Sequence, residues 1–414
     1  MPSPQRPSLL VFSQVFVPDP ASVGQHMADV AIAMANRGHQ VCVYCANRGF
    51  ENPKLKYAAK ENLQGVEIRR LPFSSFGKKT LVHRGLGTLS LLFQFLIIGL
   101  FKANVEGILF STSPPFIGLA CAIIAKIRGI PIIYWAMDLN PDQLLAMKKI
   151  KPNGITHRVL EGINQIILRE SALIVVLDRF MAERIAERGI DKSKMLILPP
   201  WPHEQHLEDM DPSQNPFRQR HGLVDKFVIM YSGNHSPANP LATLLEATVK
   251  YKNQDNLRFL FVGGGSGKKE VENAIAKHQL KNVISLPYQP LADLKYSLSA
   301  ADVHVVSLGE DMVGIIHPCK IYGAMAVGRP ILFLGPRPSH VSDILEDNRI
   351  GWHVSHGNVA AAEQAIEEAQ TSGLATLAAM GKTARQVLDH RLSQELICGQ
   401  FCDAMEKTMK EKSQ

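Results

Sequence analysis

The sequence predicts an α/β protein built from two parallel-sheet domains, and three observations carry that expectation. Short apolar runs of strand length alternate with longer stretches of helical period along most of the chain, which is the pattern of successive βα units. At 414 residues and 46% hydrophobic composition, the chain has the length for two domains and enough apolar material for two cores. A polar, proline-rich stretch over 199–220 holds Pro199, Pro200, Pro202, Pro212 and Pro216, which disrupt helix and central strand alike. The domain boundary is therefore expected near residue 200.

The first strand is expected at 9–13, where Leu9, Leu10, Val11 and Phe12 run together, followed by a loop and a helical pattern ending at Asn36. Gly24 stands near the start of that helix, where bare backbone either lets a phosphate or sugar approach closely or simply makes a turn. His26 close by either contacts a substrate or caps the helix and faces solvent. Val41 to Cys45 reads as the second strand. Residues 86–101 are nearly free of charge, with Leu91, Leu92, Phe93, Phe95 and Ile97 covering most faces of a helix. The run is short of the about 20 apolar residues that span a bilayer. Lys78, Lys79, His83 and Arg84 precede it and Lys102 follows, so it reads either as a helix packed inside the protein or as one lying on an anionic membrane surface. Strands follow at 108–111 and 130–135, with a helix over 117–128 between them. Asp138 and Asp142 come just past the carboxyl end of the later strand, where ligands bind in open parallel sheets. Contact with sugar hydroxyls and helix capping are both open for this pair. Strands at 173–177 and 195–198, around a helix over 179–188, complete the first half.

The second half repeats the alternation, with strands at 227–231, 257–262, 283–286, 303–306 and 331–334 and helices at 241–251, 268–278, 291–300 and after Pro318. Pro318 suits the first turn of that last helix, and Lys320 falls in the same turn beside backbone N–H groups that lack intrahelical partners. A lysine has the wrong sign for a helix N-terminus, whose dipole favours an anion, so Lys320 is expected to hold one there. Gly328 stops the helix, and Arg329 with Pro330 leads into the final strand. The loop from Gly233 to Asn239 and the triplet Gly263, Gly264 and Gly265 each follow a strand, where backbone can turn tightly beside a phosphate.

The formal charge of +7 favours an acidic partner such as an anionic membrane surface or a phosphorylated substrate. No arginine-rich stripe with interleaved aromatics is present, so nucleic acid is not an expected partner. Of the six cysteines, only Cys42 and Cys45 have redox spacing, and their place in an apolar strand favours small core residues in a reducing compartment. The N-terminal apolar run is too short for a secretion signal, and a cytoplasmic protein is expected.

Taken in order, these segments resemble the retaining family-four nucleotide-sugar glycosyltransferases of GT-B fold. The resemblance is carried by Gly38 to Val41, Tyr231 to His235, Phe259 to Gly265, Ala300 to His304, and above all by Pro318, Lys320 and Tyr322 followed by Ala326, Gly328 and Pro330. It implies two Rossmann-like domains facing a cleft: 1–200 on the acceptor side, 201–385 binding the nucleotide-sugar, and a last helix within 386–414 crossing back to the first domain. It also implies a nucleotide diphosphate sugar donor, with a UDP-sugar expected, no bound cofactor and no metal. The Lys320-x-Tyr322-Gly323 pattern resembles a sub-branch acting on lipid-linked sugars of surface polysaccharides, which implies a polyprenyl-linked acceptor and an enzyme peripheral on the inner membrane face.

Carried onto this chain, the resemblance makes Lys320 the cation at the departing diphosphate, with Gly233, Asn234, His235 and Gly263 around it. The arginine and lysine common in the family's diphosphate loop are Asn234 and Asn239 here, so further charge is expected from Arg329. The family's two glutamates, separated by seven residues, fall on Ile315 and Gly323. Ribose and sugar contacts are then expected from Glu310, Asp311 or the backbone of Gly314, Ile315 and Ile316. Tyr288 either lines the nucleobase or is a core aromatic. The family's His-Asp pair is Met137-Asp138, and Asp138 and His26 are the first-domain candidates for contact with the reacting sugars. An epimerase or phosphorylase with the same fold, or a non-catalytic nucleotide-sugar-binding partner, fits the same motifs.

Overall fold

The structure, a computed structural model, describes residues 8–49, 52–74, 81–202 and 210–413. Lys78 and Lys79, and the linker segment 203–209, lie outside the described residues. The chain forms two compact units. The residues up to Pro200 and those from Glu395 onward make one, and Trp201–Gln394 make the other.

The first unit is an eight-stranded sheet of β1 (Ser8–Phe12), β2 (Gln40–Ala46), β3 (Lys60–Leu63), β4 (Val66–Leu71), β5 (Val105–Ser111), β6 (Ile132–Ala136), β7 (Leu173–Val176) and β8 (Met195–Ile197), in the order β3-β4-β2-β1-β5-β6-β7-β8. All neighbours are parallel except β3 and β4, a hairpin turned at Gln64 and Gly65, both with positive φ. That hairpin is absent from the sequence reading because Lys60 to Leu63 is an exposed, polar edge strand with almost no apolar signal. The helices that bear on the site are α1 (Ser22–Asn36), α2 (Leu81–Phe101), α3 (Ile117–Arg128), α4 (Asp142–Ala146) and α5 (Ile155–Glu170).

Helix α2 begins five residues before the expected start and divides its apolar surface. Leu91 and Phe95 are fully buried, and Phe95 stacks on Phe12 at 4.7 Å, while Leu86, Leu89, Phe93, Ile97 and Phe101 stay exposed. No helix among the described residues is long and apolar enough to cross a membrane.

The second unit holds β9 (Phe227–Ser232), β10 (Leu257–Val262), β11 (Val283–Leu286), β12 (Val303–Ser307), β13 (Ile331–Leu334) and β14 (Gly351–Val354), all parallel, in the order β11-β10-β9-β12-β13-β14. Alternate residues of these strands face opposite sides. Ile229, Tyr231, Phe259 and Phe261 enter one core, and Val228, Met230, Leu260 and Val262 the other. The strand β14 is missing from the sequence reading because Gly351, Trp352 and His353 carry only a weak β pattern.

The last helix, expected within 386–414, is Gln394–Ser413, and a separate helix, Gly373–Arg391, precedes it across a break around Leu392. The last helix packs within the first unit. Phe401 meets the Trp135 ring edge-on at 4.7 Å, Arg37 pairs with Asp403 at 2.6 Å, and His39 lies 3.0 Å from Glu406.

Each sheet reverses its winding once, between β1 and β5 and between β9 and β12. Crevices outside the carboxyl ends of such strands are where doubly wound sheets take ligands.

Candidate functional site

In the second unit the carboxyl end of β9 runs into Gly233 at φ 137°. Only glycine fits there, because a β-carbon would collide with the Lys320 side chain lying across it. The β10 end is as tight: a β-carbon on Gly263 would strike the Gly233 carbonyl, and one on Gly265 the His235 carbonyl and the Asn234 amide. The glycines thus serve to pack two loops against each other.

Lys320 is half-buried, with its Nζ 5.3 Å from the Tyr231 ring centre. Among the described residues no carboxylate pairs with it and no acceptor takes its hydrogens, and burial pushes its pKa down to about 8. A cation so desolvated favours an incoming anion. Its helix corrects the sequence reading. Lys320–Ala326 is seven residues long, Pro318 lies before the helix, and the amides of Ile321 and Tyr322 already donate to the carbonyls of Pro318 and Cys319. The positive charge here resides chiefly in the side chain, since two of the helix-terminal N–H groups are already spent.

The neighbouring groups shape this spot. The amides of Gly233 and His235 are taken by the carbonyls of Val262 and Gly264, so they do not serve as the expected phosphate donors. The His235 ring is buried edge-on to Tyr231, and burial, with Lys268 nearby, lowers its pKa. Asn234 is exposed, and Asn239 turns back onto Ser236. Tyr288 is 57% exposed with its ring beside Gly264, so it is not a core aromatic.

Other expectations are not met. Arg329 lies past the far end of the Lys320 helix and donates to the Ser299 carbonyl. Glu310 and Asp311 are exposed in a short turn, Gly314 is buried at φ 68°, and the amides of Ile315 and Ile316 bond back to the Met312 carbonyl, so these two amides are not free for a ribose.

In the first unit the ends of β1, β2, β5 and β6 surround a cavity of about 640 Å³ whose lining includes Gln14, Arg48, Ser113, Asp138, Asn140 and Gln143. Asp138 is half-buried, no cation or hydrogen bond reaches its carboxylate among the described residues, and burial raises its pKa to about 6. Asp142, by contrast, is paired with Arg188 at 2.6 Å. Gly24 does not face the cavity. A β-carbon on it would stand 3.1 Å from the Phe16 backbone, and Ser22 and Val23 form the lining instead. His26 is buried, with Nδ1 2.8 Å from the Ser22 carbonyl and its ring edge-on to Trp135, so it braces α1.

Residues 22–201 match the family described as Glycosyl transferase 4-like domain, and residues 213–387 match Glycosyl transferases group 1. The chain belongs to the GT-B glycosyltransferases. It is 24% identical over 347 residues to the probable glycosyltransferase WbjE of Pseudomonas aeruginosa, covering 84% of this chain and 86% of that one. It is 23% identical over 335 residues to WcaI of Escherichia coli, a putative colanic acid biosynthesis glycosyl transferase, covering 77% and 81%. The fold matches that of Anabaena Alr3699/HepE, solved in complex with UDP and glucose, with a TM-score of 0.69 at 17% identity over 97% of this chain and 100% of that one.

In this glycosyltransferase, sequence reasoning overlooked Lys268 and His340. Lys268 begins the helix after the glycine triplet and donates to the carbonyls of Gly263 at 2.7 Å and Leu286, tying the two strand ends together. The Tyr322 hydroxyl is shared between His317 at 2.6 Å and His340 at 3.0 Å, which fixes the start of the Lys320 helix. Position at a helix start three residues past a glycine triplet was a usable signal for Lys268; nothing local distinguishes His340.

Proposed function

We propose that this enzyme moves a sugar, with retention of anomeric configuration, from a nucleoside diphosphate sugar held by the second unit to a lipid-linked glycan received by the first. It would work on the cytoplasmic face of a membrane in surface-polysaccharide assembly. The observation that carries the reading is Lys320, a half-buried cation with no anionic partner among the described residues, lying over Gly233 at the winding reversal of its sheet. A leaving diphosphate supplies the missing anion, and a cation placed where charge develops is worth on the order of 3 kcal/mol to a transition state. The bond from the anomeric carbon to the diphosphate breaks as the acceptor oxygen bonds on the same face. The acceptor's proton passes to the departing diphosphate oxygen. Asp138 orients the acceptor hydroxyl from the floor of the first-unit cavity. HepE's complex with UDP and glucose and WcaI's name support donor class and setting, and the exposed apolar face of α2 supports attachment to a lipid surface.

The test is nucleotide release from UDP-, GDP- and dTDP-sugars, with and without polyprenyl-diphosphate-linked sugars in detergent, for the parent and Lys320→Ala. Acceptor-dependent release that falls about a hundredfold in the variant is expected. Donor binding with no release in any combination would refute transfer, and acceptor-independent conversion of the donor would point to an epimerase.

A further inference from the structure

A second cavity, of about 210 Å³, opens beside the polar one and has the opposite character. Phe110, Tyr134, Leu144, Leu160, Ile163 and Ile167 supply its apolar walls. The two cavities share Thr112, Pro115 and Asn140, so polar and apolar compartments meet at a common neck within one unit. We propose that the apolar compartment receives the first isoprene units of the acceptor's hydrocarbon chain, while the polar compartment holds its sugar and phosphates. The proposal rests on the reading of a lipid-linked acceptor and names where this chain binds it.

Three observations favour a hydrocarbon chain as the occupant. An apolar cavity of about 150 Å³ takes a benzene-sized guest, and on that scale about 210 Å³ takes one five-carbon unit and part of a second. The Ser111 hydroxyl, fully buried and without a hydrogen-bond partner among the described residues, lines the apolar cavity next to Thr112 at the neck, where a phosphate or ester oxygen at the head of the chain would satisfy it. The last observation concerns α5. Its residues Leu160, Ile163 and Ile167 share one face and wall the cavity, while Ile155, 85% exposed, and Val159 stand at its start. Lys148, Lys149 and Lys151 just before the helix, and Arg158 within it, are exposed as well. Apolar side chains ringed by lysine and arginine suit the headgroup region of an anionic bilayer, so the helix that would touch the membrane also bounds the compartment for the chain.

The experiment uses the full chain and a series of prenyl monophosphates of five, ten and fifteen carbons. Affinity is measured by calorimetry for the parent, Leu160→Trp and Ile163→Trp, and the parent is photolabelled with a ten-carbon prenyl phosphate carrying a terminal diazirine. Burying part of an added five-carbon unit should tighten binding at least about tenfold from five to ten carbons, and both tryptophan variants should abolish that gain. The label should fall within 110–118 or 160–167 and be displaced by unlabelled ten-carbon prenyl phosphate but not by inorganic phosphate. Affinity independent of chain length, or label recovered only elsewhere, would overturn the assignment, and the labelling arm holds even if a tryptophan variant fails to fold. Sugar transfer to prenyl-diphosphate-linked sugars of the same three chain lengths separates the two readings. Chain-dependent binding without transfer would sink the proposed function and leave the cavity assignment standing. Transfer indifferent to chain length would do the reverse.

Discussion

Raising the pH from 7 to 9 should weaken nucleotide-sugar binding about tenfold, and the cause is the Lys320 ammonium. Burial pushes its pKa down to about 8, against an ordinary lysine value near 10.4, because the group lies over the Tyr231 ring with no carboxylate to offset its desolvation. About nine-tenths of the free protein therefore carries the charge at pH 7 and about one-tenth at pH 9. A bound diphosphate supplies the absent anion and restores the charged form, so binding above pH 8 takes up a proton and affinity falls by up to tenfold for each further pH unit. The full recovery of an ordinary lysine pKa corresponds to about 3 kcal/mol, an upper bound on this contribution. Calorimetric titration with a nucleotide-sugar across pH 6.5 to 9 measures it, and Lys320→Arg, which stays charged throughout, should give a flat profile. A flat profile in the parent, or an equal slope in the arginine variant, would refute the assignment of Lys320 to the diphosphate.

Asp138 should impose the opposite limb. Its pKa of about 6 means that the carboxylate able to accept an acceptor hydroxyl accumulates as pH rises, so kcat/KM for the acceptor should climb about tenfold from pH 5 to 7. In Asp138→Asn that rise should vanish, and a parallel rise in both proteins would exclude Asp138 from the acceptor site. Replacing Phe93 and Ile97 together by serine removes exposed apolar surface from α2 without touching the buried Leu91 and Phe95. Sedimentation with anionic liposomes should then fall severalfold while thermal unfolding stays within a few degrees of the parent, and unchanged co-sedimentation would remove α2 from the membrane contact.

Most of the fold was legible in the sequence because buried parallel strands are runs of apolar residues that need no partner to be recognised. Leu9 to Phe12 and Phe227 to Tyr231 declare themselves in this way. The exposed edge strand Lys60–Leu63 and the short β14 did not, since their pairing depends on neighbours distant in sequence. The candidate site was legible only in part. Lys320 stood out as a cation beside a helix start, and Asp138 as an acid past the end of a strand.

What the sequence determined by itself was therefore the α/β alternation, the place of its interruption and the identity of these two charged residues. Tertiary structure decided what surrounds them. It took the amides of Gly233, His235, Ile315, Ile316, Ile321 and Tyr322 into internal hydrogen bonds, turned His26 and Gly24 to packing, moved Arg329 away from the Gly233 loop, and set an apolar cavity against a polar one at Thr112, Pro115 and Asn140. The physical reason is that hydrophobic periodicity is encoded locally along the chain. Whether a polar group is spent or available depends on partners brought from elsewhere by the sheet order, and no local pattern records them.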